Sequence, residues 1–549
     1  MQLYSQNENY KLYQGNMLDM LEVIEPNSVD SIITDPPYEL NFMNKGWDNS
    51  GIAFQKETWE KCYEVLKPGG YLLAFGGSRT FHRIACAIED AGFEIRDTIM
   101  WLYGSGFPKS MDISKQIDKK GGNDYSKQFA VDLKQARESR NLTMKYCDDK
   151  YCGGTTNWSW YEGRPKGMRV PDYQTYLEIV NDFPELEKYR ELIKEAEREV
   201  VGTQITNKTV YQKIGQKNES GEVNITIPET DLARKWQGWG TALKPSFEPI
   251  IVARKPFKGS LVDNVIEYGV GGINIDECRV GNEERFNPSA TIGKDGIYNW
   301  NTTTNEKEDY KGQIVNGRFP ANTILTYDET DYEEVCGGFP DTKSQKTNSK
   351  LLDIRGNNYN NANKNLDIAY ERGYTDSGSA SRYFMNCKYT GKDEDFRRYI
   401  YTPKASKKDR DEGLDEFEEK DTTELLNRKE GTAGILWEQG GTNAFSGASG
   451  IKKNTHPTVK PTDLMQYLVR LVTPNGGTIL DPFNGSGSTG KAVMYENKEH
   501  GKNYKYIGIE LTEEYLPISK ARIEYVCNLK EEELKDMQVS IFDILNKEE

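Results

Sequence analysis

The chain is poor in paired cysteines, histidine, long apolar runs and positive charge. Its eight cysteines (Cys62, Cys86, Cys147, Cys152, Cys278, Cys336, Cys387 and Cys527) are scattered, with no Cys-x-x-Cys. The only histidines are His82, His456 and His500, so a zinc site is not expected and no metal is assigned. Free thiols of a reducing, cytoplasmic compartment are the simpler reading. No run of about 18 apolar residues suggests a membrane helix. The start, Met1-Gln2-Leu3-Tyr4-Ser5-Gln6, lacks the basic and apolar regions of a leader. Lys and Arg number 71 against 86 Asp and Glu, a net charge of −15. Averaged over the chain, that opposes binding to a polyanion, but the local field matters more.

At 549 residues the chain exceeds one compact core, and two or three domains are expected. The stretch Asp30-Ser31-Ile32-Ile33-Thr34-Asp35-Pro36-Pro37-Tyr38 organises the rest. Ile32 and Ile33 suit a buried strand, and two prolines stop it. Asp35 and Tyr38 are thereby left at a strand's carboxyl end, where open α/β sheets place ligands. Before it, Tyr10–Met20 reads as strand, Gly15 turn and helix start, with Asn16 a candidate cap. After it come a polar loop (Glu39–Asp48), a helix (about Ala53–Leu66) closed by Lys67-Pro68-Gly69-Gly70, a strand (Tyr71–Phe75), a helix (about Thr80–Ala91) and a strand (Glu94–Trp101). This alternation predicts a doubly wound α/β sheet.

The signal is strong again from Thr455. His456–Pro461 precedes a helix with Leu464, Leu468, Leu471 and Val472 on one face. A strand (Thr478-Ile479-Leu480) then leads to Asp481-Pro482-Phe483-Asn484-Gly485-Ser486-Gly487-Ser488-Thr489-Gly490 and a helix. Glycines at such a turn let backbone approach a ligand closely. Tyr506–Glu510 is a strand ending in an acid, which can hold ribose hydroxyls. Gly485, Gly487, Gly490 and Glu510 also match a dinucleotide fingerprint. A nicotinamide enzyme fails on chain order, because too few residues follow Gly490 for the remaining strands.

Asp35-Pro36-Pro37-Tyr38 resembles the catalytic motif of DNA amino-methyltransferases, which methylate adenine N6 or cytosine N4. Asp481–Gly490 with Glu510 resembles their S-adenosylmethionine motif, and His456–Pro461, including Lys460, the segment preceding it. Catalytic motif first and cofactor motif last resembles the β class of that family. The resemblance implies a Rossmann-like methyltransferase sheet and S-adenosylmethionine as cofactor. Asp35 and the Pro36 carbonyl would accept the amine's hydrogens, beside Pro37, and Tyr38 would stack on an extruded base. The cofactor would lie against Phe483, Gly485 and Gly487, with Glu510 on its ribose. Asn16 and Asp19 would be polar contacts near its adenine, with Lys460 and Asp481 completing the set. Asp rather than Ser before Pro-Pro-Tyr favours adenine over cytosine.

Between the motifs the pattern changes. Residues 111–235 read as a helical, helix-turn-helix-like insertion, its helices at about Phe129–Arg140, Thr143–Cys152 and Thr155–Tyr161 and from Pro171-Asp172. Pro184–Val201 reads as a charged, solvated helix. Residues 236–256 return a strand (Ile250–Ala253) to the catalytic domain. Residues 257–450 are loop-rich and read as the target-recognition region, with an Asn-rich stretch from Asn357 to Asn365. The catalytic half is then 1–110, the cofactor half 451–530, and 531–549 a tail. Arg234, Lys235, Lys244, Arg254, Lys255 and Lys258 make residues 231–260 a basic stretch interleaved with Trp236, Trp239 and Phe257, whereas acid concentrates elsewhere, as in Asp409–Asp421. These six cations are the expected contacts to double-stranded DNA. A homodimer and a cognate restriction nuclease are the further partners considered. An RNA or protein methyltransferase is disfavoured by the large insertion. A non-catalytic DNA-binding regulator is disfavoured by intact motifs.

Overall fold

The structure, a computed structural model, describes residues 2–40, 50–103, 110–119, 125–152, 158–163, 170–195, 200–205, 210–213, 216–218, 222–228, 230–287, 313–327, 339–344, 347–350, 369–372, 376–388, 405, 407–419, 453–530 and 533. The polar loop after Tyr38 (41–49), Gly104–Lys109, the Asn-rich stretch and nearly all of the tail lie outside them.

A ten-stranded sheet forms the frame. In chain order its strands are β1 (Gln2–Gln6), β2 (Tyr10–Gln14), β3 (Val29–Thr34), β4 (Leu66–Phe75), β5 (Glu94–Tyr103), β6 (Phe247–Arg254), β7 (Thr323–Tyr327), β8 (Met385–Lys388), β9 (Thr478–Asp481) and β10 (Lys505–Glu510). Across the sheet they run β1-β2-β10-β9-β3-β4-β6-β5-β7-β8. The strands from β2 to β4 are parallel, and β6 runs antiparallel between β4 and β5. This is the doubly wound sheet expected, entered from both ends of the sequence.

Burial explains the strand compositions. All six residues of β3 are buried, as parallel strands covered on both faces require. Helices Met17–Leu21, Lys56–Val65 and Phe81–Asp90 supply the core of one face, around Trp59, Ile84 and Ile88. Helices Thr462–Val472, Ser488–His500 and Leu516–Asn528 supply the other, around Leu464, Leu468, Val493 and Ile523.

Three expectations are corrected. Lys67–Gly70 is not a turn before the strand but part of β4, where the register with β3 shifts and Gly69 takes a φ of +81°. Pro184–Val201 is not one solvated helix. It is a 3-10 turn (Pro184–Tyr189), a short helix (Arg190–Glu195) and a strand from Val200, and Leu186, Tyr189 and Ile193 are buried in the insertion's own core. The region 257–450 is not wholly outside the sheet, because β7 and β8 extend it beyond β5.

Two of the insertion's helices begin where expected, each behind a side-chain cap. Thr143 caps Met144–Tyr151 and Asp172 caps Tyr173–Asp182. Their apolar faces close a separate aromatic core around Phe129, Trp158, Tyr176 and Phe183. The insertion leaves the sheet after β5 and returns before β6, so both junctions lie at the carboxyl edge of the parallel strands. A bridge between Asp112 and Gly240 ties the two junctions together.

Candidate active site

Chain direction reverses its march across the sheet between β9 and β3. From β9 the chain crosses to β10 on one side; from β3 it crosses to β4 on the other. Such a switch point opens a crevice at the carboxyl ends of the strands. Asp35 follows β3 there and the Asp481–Gly490 turn follows β9. Thr34 Oγ1 donates to Asp481 Oδ1 at 2.7 Å, joining the two strand ends.

The structure gathers Asp35, Tyr38 and Lys460 with a residue that the sequence reading passed over, Glu248. Lys460 Nζ pairs with Asp35 Oδ2. The same nitrogen lies 3.8 Å from Glu248 Oε2 and over the rings of Phe75 and Tyr38, at 4.8 and 5.4 Å. The Tyr38 hydroxyl donates to Glu248 Oε2 at 3.0 Å, and Thr80 Oγ1 donates to the Tyr38 carbonyl at 2.8 Å. Asp35 Oδ1 is buried with no hydrogen-bond partner among the described residues. A buried acceptor left open costs stability and marks a place where a ligand donor belongs. Lys460 therefore sits in the Asp35 cluster. Glu248 lies near the start of β6, an acid just before the apolar run Pro249–Ala253, and that contrast was the available signal.

On the cofactor side, Asp481 is wholly engaged. Its Oδ1 also accepts from the Phe483 amide at 3.1 Å, and its Oδ2 accepts from Thr489 Oγ1 at 2.6 Å. Burial pushes its carboxyl up to about 6. Asp481 thus shapes the turn from below. Gly485 and Gly487 take left-handed φ values of +51° and +74°. A Cβ on Gly485 would fall 2.9 Å from His456 Nε2, and one on Gly487 would fall 2.4 Å from Ser519 Oγ. The need for glycine at 487 therefore arises from the helix packed behind it. Phe483 is half-buried beside the turn. Glu510 is buried at the end of β10, accepting from the Gly485 amide at 2.7 Å and the Thr512 amide at 2.8 Å. Burial raises its carboxyl too. The Gly15 amide donates to the Glu510 carbonyl at 3.0 Å, which brings Asn16 and Asp19 to the same strand end. The Asn16 side chain caps Met17–Leu21 through the Leu18 amide, and Asp19 is exposed.

Two further side chains support the turn, and of these the sequence reading singles out only the segment of His456. His456 stacks edge-on against Tyr515, and burial depresses its imidazole to about 4, so it is neutral at pH 7. Arg522 is fully buried and donates to the Ser486 carbonyl at 2.8 Å and to the Asp409 carbonyl at 3.2 Å. Asp409 pairs with Lys491 at 2.7 Å and accepts from the Thr462 amide at 2.9 Å. Burial would raise Asp409, but Lys491 and Arg522 outweigh it and hold its carboxyl down at about 2. The expectation that Asp409–Asp421 is acid set apart from the site is corrected here: Asp409 neutralises buried cations beneath the Asp481–Gly490 turn.

The six cations assigned to DNA do not share a face. Arg234 and Lys235 are exposed on the short helix Asp231–Lys235, and Lys244 is in the segment leading to β6, all before the carboxyl edge. Because β6 is antiparallel, it runs back along β4 from Phe75, and Arg254 pairs with Tyr71, four residues before it. Arg254, Lys255 and Lys258 thus lie at the far edge from Asp35. Arg254 pairs with Glu94 at 2.8 Å. Lys255 is buried, and its Nζ donates to Asn27 Oδ1 and to the Tyr63 and Leu66 carbonyls at 2.6–2.8 Å. These last carbonyls end the helix Lys56–Val65, where a cation is favoured. Lys255 caps a helix and is removed from the DNA surface.

The sequence matches the family model described as DNA methylase over residues 29–119 and 147–521. The chain belongs to this family. It is 35% identical over 114 residues to the type II methyltransferase M.HpaI of Haemophilus parainfluenzae, covering 20% of this chain and 36% of that protein. It is 42% identical over 162 residues to the type II methyltransferase M2.DpnII of Streptococcus pneumoniae, covering 24% of this chain and 60% of that protein. The chain thus spans about a third to three fifths of the length of these curated relatives. Among solved structures, PvuII DNA methyltransferase (cytosine-N4-specific) aligns with a TM-score of 0.32 and 12% identity, over 99% of this chain and 97% of that chain. The M1.HpyAVI–SAM complex aligns with a TM-score of 0.28 and 11% identity, over 95% and 100%. No helix among the described residues is long and apolar enough to cross a membrane.

Proposed function

We propose that the methylase transfers a methyl group from S-adenosylmethionine to the N6 amine of adenine in double-stranded DNA. The observation that carries this reading is the open, buried Oδ1 of Asp35 at the switch point, next to the glycine turn. An exocyclic amine is a weak nucleophile because its lone pair is delocalised into the ring. Asp35 Oδ1 accepts one of its hydrogens and the Pro36 carbonyl the other, which localises that pair. Lys460 fixes the second Asp35 oxygen, so the carboxylate presents one defined acceptor. Tyr38, held by Glu248 and Thr80, offers its ring to the extruded base. No covalent nucleophile is required, and orientation supplies most of the rate.

The donor set fits the cofactor. Phe483 offers an aromatic surface, the turn at Gly485–Gly487 offers backbone without side chains, and Glu510 keeps lone pairs for hydroxyls. S-adenosylmethionine, when bound, supplies an electrophilic methyl on a sulfonium. Asp rather than Ser at position 35 favours adenine. Sequencing of modified bases in DNA from cells expressing the methylase tests the proposal. N6-methyladenine in one sequence context is expected. N4-methylcytosine would overturn the choice of base, and unmodified DNA the reaction itself.

A further inference from the structure

The segment 231–246 carries an apolar cluster at the carboxyl edge that the chemistry above does not use. Leu243 is 93% exposed, Trp239 60% and Met111 55%. A single exposed leucine is ordinary. Here the loop that carries Trp239 and Leu243 is tied to the segment that carries Met111. The Met111 amide donates to Thr241 Oγ1 at 3.0 Å, and the Ile113 amide to the Trp239 carbonyl at 3.0 Å. Ser110 Oγ accepts from the Thr241 and Ala242 amides at 3.0 and 3.3 Å. Trp239 packs edge-on against Trp236 at 5.1 Å. Leu243 therefore projects from a braced loop, and Pro245 stiffens its exit.

The segment 231–246 is itself cationic, while the abutting residues 110–119 balance Asp112 and Asp118 with Lys115 and Lys119. Between residues 231 and 246, Arg234, Lys235 and Lys244 stand against a single anion, Asp231, which Arg234 meets at 3.0 Å. The cluster also stands close to the reaction. Leu243 precedes Glu248 by five residues, about 18 Å at full extension, and Glu248 holds Tyr38. The Tyr103 amide bonds the Ser246 carbonyl at 2.9 Å, anchoring the loop to β5. An apolar point flanked by cations suits DNA, whose phosphates take the cations while a leucine enters between base steps.

We propose that Leu243, carried on the loop braced by Ser110 and Thr241, is a wedge that enters the base stack of bound duplex and holds open the gap from which the target base is drawn to Asp35. This rests on the methylation reading above. Extruding a base costs unstacking and unpairing, least where the base is already mispaired. A wedge reduces that cost only on paired DNA.

The test compares two duplexes carrying the methylated site found by sequencing, one fully paired and one with the target base mispaired. Leu243→Ala should lower methylation of the paired duplex about tenfold or more relative to the mispaired one. Leu243→Met should restore most of the difference. With 2-aminopurine at the target position, wild type should brighten the paired duplex and Leu243→Ala should not. Ile266→Ala, an exposed position at the far edge of the sheet, is the control. Equal losses on both duplexes would overturn the wedge, as would unchanged methylation accompanied by altered sedimentation, which would assign the cluster to a protein contact. Wild type that methylates neither duplex would instead defeat the methylation reading, and the wedge with it.

Discussion

Thr34 Oγ1 donates to Asp481 Oδ1 across 447 residues of sequence, and this bond joins the strand that presents Asp35 to the strand that presents the Asp481–Gly490 turn. The two strand ends are thereby tied directly to each other, while the supports of Asp35 and of the glycine turn remain separate side chains.

Asp35→Ala should abolish methyl transfer, by about a hundredfold or more, while cofactor binding persists. Asp35 faces the amine, and the turn's own supports lie elsewhere. Calorimetry with S-adenosylmethionine beside a methylation assay separates the two effects. Loss of cofactor binding with the rate would contradict the assignment.

Glu248 should be coupled to Tyr38. In a double-mutant cycle of Tyr38→Phe and Glu248→Gln, each change removes part of one hydrogen bond, with a coupling of about 1 kcal/mol. Additive losses in denaturant unfolding would mean that the hydroxyl does not depend on Glu248.

Asp409→Asn leaves Lys491 and Arg522 buried with less compensation, and should destabilise by about 3–5 kcal/mol. It should also weaken cofactor binding, because Arg522 holds the Ser486 carbonyl. Unfolding curves and cofactor titration measure both; an unchanged midpoint would refute the role.

His456 gives the pH prediction. Its folded value is about 4 against an ordinary 6.5. Between those values the unfolded chain binds a proton that the folded chain refuses, so stability falls as pH falls through this window. Asp481, raised to about 6, acts with the opposite sign from about 6 down to its ordinary 3.8. The difference between wild type and His456→Gln isolates the histidine. The wild type should lose stability more steeply between pH 6.5 and 4, and equal slopes would show that His456 is not buried neutral.

The DNA surface is tested by salt. Neutralising Arg234, Lys235 and Lys244 together should flatten the slope of log affinity against log salt by up to about 2.7. Lys255→Ala should leave that slope unchanged and cost about 1.5–3 kcal/mol of stability, since it uncaps the carbonyls of Tyr63 and Leu66. An unchanged slope in the triple variant would place the phosphates elsewhere.

The strand-stop at Asp35 and the glycine turn after Asp481 were legible because their signals are local: a few residues fix a strand end, and strand ends fix where ligands go. What sequence hid was direction and depth. A basic composition does not tell whether Lys255 reaches outward or caps a helix from within, nor that antiparallel β6 carries Arg254 away from the site. Asp409 looked like solvated acid because its partners, Lys491 and Arg522, lie 82 and 113 residues on. Strands β7 and β8 are short and set among polar, glycine-rich stretches, so no periodicity announced them. Glu248 alone stood out in principle, as a carboxylate in an apolar strand.

The sheet's entry from both ends of the sequence has a consequence in time. Strand β3 emerges early from the ribosome, but its neighbour β9 is made some 447 residues later. At about 5–20 residues per second, that leaves on the order of 20–90 s in which an apolar strand has an open flank. Such a flank recruits foreign strands. Cells making this protein would need holdase chaperones on the nascent chain, and a permuted gene that starts at the cofactor half should yield more soluble product.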